Sequence, residues 1–484
     1  MTVDAPQVWQ RLSPRMLLVH PVHEVLRQIP LLIGSVVLGS ATGNPMWTLV
    51  GLALVVGYGL ARWFTTTYRI DVQELQLRTG VLQRKVLSVP RNRIRSVSTD
   101  ARLLHRLLGL TVLRVSTGQE ARGDAAFALD AVQASQVPGI RAILLADSLA
   151  PAEQEVSDSG RELARWQPSW LRYSPLSFTG LAMILAAIGV VYQTGAGVAL
   201  EDSRLARAGL DTVERFGVVA SVAVAAVVVV AASVALSVLR SLVTYGNLVL
   251  RRDREVLHLE HGLLRVRQHT FDMRRLRGGT LREPLLVRLF GGARLDAVMT
   301  GVDGAGEASL LLPPCPHVTA EAVLSELIAR PDVVSGPLRG HGAVATRRRW
   351  TRALTLPAML LIAMVALYWW TPVWLWPAWA VLTVCCALLA FDRSRALGHR
   401  VDSEWLVARA GSLDRRRDCI AAAGIIGWTV RQTFLQRRAG VATLIAATAA
   451  GVKSYRVIDA PADLAWSIAA STSPWVTDND WADR

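Results

Sequence analysis

The side chains in this sequence best placed to do chemistry are cationic. Short basic clusters recur at Arg84-Lys85, Arg251-Arg252, Arg265 and Arg267, Arg274-Arg275 and Arg415 to Arg417, with Arg93 standing where Arg275 stands one polar segment later. Such groups recognise anions, so Arg84, Lys85, Arg93, Arg265, Arg267 and Arg275 are candidates for contact with a lipid phosphate or an acidic protein face. Nucleophiles and metal ligands are sparse. Cys315, Cys385, Cys386 and Cys419 show no paired spacing and no CxxC, so no disulfide framework or zinc site follows. Cys315-Pro316-His317 offers too few ligands for a metal, and His258 and His261 flank a strand end where surface exposure is expected. There is no GxxxxGK[ST], HExxH, GxSxG or helix-opening GxGxxG. The expectation is a protein that is not an enzyme and uses no metal or cofactor.

Hydropathy says where these cations must sit. Of the 484 residues 52% are apolar, mean hydropathy is +0.33 and net charge is +15. Because the apolar blocks carry almost none of the charge, the bases crowd between them, which is a membrane pattern. Residues 353–391 form 39 positions without a formal charge. As one helix they would be about 58 Å long, against about 30 Å of bilayer core. The run must fold back, and Thr371-Pro372 supplies the break among Trp369, Trp370, Trp374 and Trp376, which suit an interfacial belt. Residues 28–61 repeat the form with Gly43-Asn44-Pro45 at the turn, Arg27 snorkelling at the first end. A more open pair lies within 173–200 and 216–239, joined by the mixed-charge stretch Glu201 to Arg215. The first apolar run lies behind a charged leader, which favours a retained anchor over a signal peptide.

Orientation follows from the arginines outside each pair: Arg11, Arg15, Arg27, Arg62, Arg161, Arg165, Arg172, Arg240, Arg347 to Arg349, Arg393 and Arg395. The hairpin tips lack such a bias, so both termini and the polar segments are expected on the cytoplasmic face of a cell membrane. No charge falls mid-span, which argues against a transporter. Membrane topology accounts for the basic charge without nucleic acid, and no nucleic-acid module is present.

The polar segments contain a repeat. Gly80, Gly262 and Gly411 precede Gly109, Gly291 and Gly440 by 29 residues in each case. Before the second glycine the segments read LHRLLG, LVRLFG and LQRRAG, aligning Leu104, Leu286 and Leu435, and Arg106, Arg288 and Arg437. Leu75, Leu257 and Leu406 align, as do Leu82, Leu264 and Leu413, and Leu113, Leu295 and Leu444. One domain has been copied three times, with the leucines expected in cores and the glycines in turns. The LxRxxG arginine can clamp carbonyls within the fold or present charge outward. Period-two patterning around Leu75, Leu77 and Leu82 gives strand, turn, strand, and terminal helices are expected from about Asp130 to Leu145, Thr319 to Ile328 and Pro461 to Ala469. A small antiparallel sandwich or barrel closed by a helix fits this order.

Membrane pairs alternating with such copies resemble the bacterial pleckstrin-homology membrane-flanked family, the group of YdbS- and YdbT-like proteins. The first copy carries that family's P-x-x-R-I-x-x-V and G-L places as Pro90, Arg93, Ile94, Val97 and Gly109-Leu110; the second keeps Arg275 and Leu276 but has Asp272 for proline; the third has Ala421 and Gly424. The resemblance implies an α+β integral membrane protein with six transmembrane helices in three hairpins. Each hairpin is then followed by a pleckstrin-homology-like (PH-like) β-sandwich or barrel with a C-terminal helix. The expected organisation is an N-terminal segment 1–27, hairpin 28–64, domain 65–150, linker 151–172, hairpin 173–242, domain 243–330, linker 331–351, hairpin 352–392, divergent domain 393–470 and tail 471–484.

Two functions fit. One is a scaffold whose cytoplasmic domains bind a membrane or cytoplasmic protein, or further copies of the chain, with avidity from linked modules. The other is recognition of anionic headgroups, to which polybasic segments contribute about 1 kcal/mol per residue. Gly424 stands where the first copies have Arg93 and Arg275, which suggests that those two carry the external contact.

Overall fold

The computed structural model describes residues 9–11, 13, 15, 46, 49, 50, 53, 57, 61, 64–71, 73–80, 84–91, 94, 96–101, 103–116, 127–145, 160–177, 179–193, 204–302 and 309–476. The first hairpin, apart from scattered positions, and Arg93 lie outside these residues. Two compact units form: one from 1–165, 247–275 and 300–302, the other from 166–246, 276–299 and 303–484.

In the first unit, β1 (Gln10–Arg11), β2 (Thr67–Ile70), β3 (Glu74–Thr79) and β4 (Lys85–Pro90) make an antiparallel sheet in that order. A second sheet contains β5 (Ser96–Ala101), β6 (Leu110–Ser116), β7 (Phe127–Gln133), β8 (Arg161–Arg165), β9 (Val249–Asp253), β10 (Val256–His261) and β11 (Val266–Asp272), in the order β7-β6-β5-β11-β10-β9-β8. Alternation sends Leu75 and Leu77 inward from β3, where they meet Val97, Leu113, Val115, Phe127 and Leu129 in one core. The helix Val137–Leu145 closes that core with Val137 and Leu144. It begins later than the Asp130 expected from sequence, because Val132 and Gln133 still pair with Thr111 and Leu110 on β6.

In the second unit, β12 (Leu276–Pro284), β13 (Gly292–Met299), β14 (Leu310–Pro316), β15 (Gly398–Val401), β16 (Trp405–Ala410) and β17 (Asp414–Ala421) form one sheet, ordered β14-β13-β12-β17-β16-β15. A further sheet holds β18 (Ile425–Arg431), β19 (Val441–Thr448) and β20 (Ser454–Pro461). Leu406, Ile420, Leu444, Tyr455 and Val457 join Ala465 and Ile468 of the helix Ala465–Thr472 in a single core. Leu75, Leu257 and Leu406, and likewise Leu113, Leu295 and Leu444, are fully buried. The paired glycines repeat one backbone state: φ is 121°, 105° and 106° at Gly80, Gly262 and Gly411, and 69°, 72° and 64° at Gly109, Gly291 and Gly440. Left-handed values like these favour glycine, so the alignment marks shared geometry.

Other signature leucines depart from the expected core placement. Leu264, Leu413, Leu104 and Leu435 are exposed, the first two on the turn after the glycine and the others on the short helix before the second glycine. The segments expected as leader and linkers also belong to the sheets: β1 and β8 precede their hairpins in the chain, and Arg339 bridges to His399. Each hairpin is thus inserted after the first extended segment of its copy.

Three described helices are long and apolar enough to cross a membrane: Val219–Tyr245, Gly342–Ala366 and Leu375–Ala396. The helix Thr179–Gln193 is described over 15 residues, short of a span. It lies so close to its partner that a Cβ at Gly180 would meet the Ser233 carbonyl, and the Gly180 N–H donates to Ser237 Oγ at 2.7 Å. The connection expected at Glu201 to Arg215 is helical from Arg204, and the break falls at Gly217, φ 78°. Arg207, Asp211 and Arg215 are spaced four apart, which suits a helix. In the last pair Trp379 Nε1–H donates to the Pro357 carbonyl at 2.9 Å, and the tip leaves Trp369 92% exposed, as an interfacial anchor requires.

Candidate interaction surface at the junctions between copies

Neighbouring copies are joined strand to strand. In the first unit β5 of copy one pairs antiparallel with β11 of copy two; in the second unit β12 of copy two pairs antiparallel with β17 of copy three. The register is the same in both. Arg267 faces Asp100 in one junction and Arg416 faces Arg282 in the other, each base five residues after the first glycine of its copy and each partner nine before the second. Thr99, inside copy one, stands opposite Gln268, and Leu281, buried, opposite Arg417, so one copy's inner face runs into the next copy's outer face.

Charge fixes the first junction. Arg265 grips both Asp100 oxygens, its Nε donating to Oδ1 at 2.6 Å, and Arg114 approaches at 3.5 Å. Burial pushes the Asp100 carboxyl up, but the Arg265 hydrogen bonds and the charges of Arg265, Arg114 and Arg267 hold it below its ordinary value. Arg106 of the LxRxxG helix Leu103–Leu107 donates to the Leu263 carbonyl, next to Gly262, at 3.0 Å.

In the second junction Arg282 donates to Asp414 at 2.7 Å, Thr280 to Asp418 at 2.7 Å, and the Leu285 N–H to the Leu413 carbonyl at 2.7 Å. Burial raises the Asp418 carboxyl to about 6, and the Thr280 hydrogen bond and nearby Arg416 and Arg282 offset only part of that. Arg288, the LxRxxG arginine of Leu285–Leu289, reaches Asp392 at the end of Leu375–Ala396 at 2.8 Å, and Arg415 reaches it at 2.6 Å. This pairing ties that long apolar helix to the sheet. Glu283 joins the network by accepting from His317 at 2.9 Å, a hydrogen bond that raises the imidazole above its ordinary value.

The third copy is fastened to its own hairpin. Arg349 donates to the fully buried Asp459 at 2.5 Å, Arg348 lies at 3.5 Å, and Gln436 donates to the other oxygen at 2.6 Å. His341 and His399 are 2.8 Å apart, and burial lowers His399 to about 4, leaving a neutral pair. A cavity of about 470 Å³ opens beside the second junction, lined among others by Arg393, Arg416, Arg456, Asp296 and Asp418. Arg416 pairs with Asp414 at 3.1 Å, whereas Arg393 and Arg456 form no ion pair among the described residues.

Three of the six candidate cations lie at a junction between copies. Arg265 and Arg267 lie at the first junction, and Arg275, its side chain 15% exposed, approaches Asp272 and the Ile94 carbonyl, each at 3.5 Å. Arg84 and Lys85 are exposed at the start of β4. The Cys315 thiol is buried against the Ala293 carbonyl and its pKa is raised to about 12, away from the Glu283-bound His317. Asp100, Asp392, Asp418 and Asp459 were not legible as site residues; the first two are single acids among bases, and the other two each have a second aspartate four residues away.

A model of the bacterial PH domain matches this arrangement three times, over residues 25–147, 180–330 and 351–470. The chain belongs to the bacterial PH domain family. The second and third matches take in candidate membrane-crossing helices together with the strands that follow them. No curated protein and no solved structure matches the chain. PH domains in general are interaction modules rather than catalysts, in keeping with the structural use made here of the charged groups.

Proposed function

We propose that this protein is a non-enzymatic scaffold embedded in a bacterial cell membrane, its PH domains turned to the cytoplasm to hold protein partners or further copies of itself. One observation carries the reading: PH copies join through paired strand edges, and two edges of the same kind, β4 and β18, remain at the ends of their sheets. An open edge is a template for another chain. The arginines outside the spans support the cytoplasmic orientation. Fusions of alkaline phosphatase after residue 120 or 300 should be inactive and one within 201–215 active; the opposite pattern refutes the orientation.

A second reading, anionic headgroup recognition, is favoured by the cavity holding Arg393 and Arg456, because Arg393 lies in the last turn of a membrane helix. Binding of the detergent-solubilised protein to nanodiscs with and without anionic lipid tests it. Equal properties in both, with the protein self-associated or partner-bound, leave the scaffold alone standing.

A further inference from the structure

We propose that β18 of one molecule pairs with β4 of a second copy, extending the internal junction head to tail into an oligomer. This deepens the scaffold reading and rests on it. The position equivalent to β18 is filled by β5 and β12 in the other copies, and the position equivalent to β4 by β11 and β17. All four of those strands are consumed in junctions, and β18 and β4 are the two that remain at sheet ends. The shared register transfers without adjustment: Arg431 is nine residues before Gly440 and Lys85 five after Gly80, so Arg431 faces Lys85 and Val430 faces Val86.

Two features of copy three mark its edge as a junction lacking its partner. Ile426, Phe434 and Leu435 are 68%, 78% and 63% exposed, whereas Leu285 and Leu286, at the places of Phe434 and Leu435, are partly covered in the second junction. Arg437 is exposed with no partner among the described residues, whereas its equivalents Arg106 and Arg288 bind the copy that follows. On the opposite edge Val86 is 55% exposed, a large apolar side chain on an edge strand. Lys85 and Pro90 restrain indiscriminate pairing there, and Pro90, at the place of Asp272, lies beyond the paired register, which ends at Thr270. A heterologous contact of this kind closes into a ring or continues as an array.

The like charges at Arg431 and Lys85 give the proposal a sign. Arg282 and Arg416 meet at that place in the second junction but share Asp414, and the first junction has Asp100 there. The third has no such acid, so the contact is reversible and is strengthened by supplying one.

The test uses full-length protein in native membranes, with Val86→Cys and Val430→Cys on separately tagged chains, in a Cys385→Ser, Cys386→Ser background, and a short thiol cross-linker. Co-expression should give a product carrying both tags, and each variant alone should give little. Arg431→Asp should raise that yield several-fold, and adding Lys85→Asp should reverse the gain. Products from Val86→Cys alone or Val430→Cys alone that match the co-expressed yield would show like edges meeting and overturn the proposal. So would absence of the mixed product from chains whose membrane insertion and melting are unchanged. If the chain is monomeric but carries a stably bound foreign protein, head-to-tail pairing fails while the scaffold reading survives.

Discussion

Replacing Asp418 by asparagine should stabilise the protein at alkaline pH and leave it unchanged in acid. The carboxyl accepts from Thr280 at 2.7 Å, a bond that an asparagine oxygen can keep. Its folded value of about 6 lies above the ordinary 3.8, so the folded protein holds the proton where the unfolded chain releases it. Stability from this residue is therefore greatest below about 4, falls as pH rises from 3.8 through 6, and is lowest above that. Raising a carboxyl that far costs its ionised form about 3 kcal/mol, and contact with the neighbouring cavity reduces this to about 1–3 kcal/mol. Thermal unfolding in detergent, followed by tryptophan fluorescence, should show Asp418→Asn more stable than wild type by that amount at pH 8, the difference shrinking toward zero at pH 4. A shift independent of pH, or a less stable variant at pH 8, would refute the reasoning.

Asp459→Asn removes the anion between Arg349 and Arg348 and leaves two covered cations unpaired, a loss of about 3–5 kcal/mol that limited proteolysis should report as early cleavage of the third PH domain. Leu444→Ala, at a fully buried position of the third core, should cost about 2–5 kcal/mol in denaturant unfolding, whereas Leu435→Ala on the exposed helix should cost less than about 0.5 kcal/mol.

The repeat and its glycines were legible because each copy needs the same two left-handed turns, and only glycine takes them without strain. The break between the last two long apolar helices was legible for a comparable reason: a 39-residue uncharged run is too long for one membrane-crossing helix, and Pro372 sits at its middle. Strand exchange between copies was not legible. Period-two patterning assigns faces but says nothing about which edge meets which, so β5 and β11 read as strands of separate domains. The same limit hid β1 and β8, short charged strands that pair through backbone groups, and it made the ion-paired arginines look like a binding surface. A basic cluster shows its acid partner only once the sheet brings Asp100 or Asp414 across from it.

The division of labour between copies follows from what replaces the missing arginine. Gly424 is buried, and a Cβ there would approach the Arg277 side chain to 3.1 Å, so a neighbouring cation of copy two already covers that place. Arg275 is directed at the Ile94 carbonyl of copy one. Both observations put positions 275 and 424 inside junctions, where a long side chain from one copy lies against the backbone of the other. Loss of the arginine in copy three therefore removes no external ligand. Under the head-to-tail pairing proposed above, the external contact would fall instead to two strands at the ends of their sheets: β18, with Arg437 and the exposed Phe434 and Leu435 beside it, and β4, with Arg84, Lys85 and Val86. Three copies joined by one repeated contact leave one edge of each kind unused, and on the proposed reading these are the surfaces at which a further copy adds without changing any contact already made.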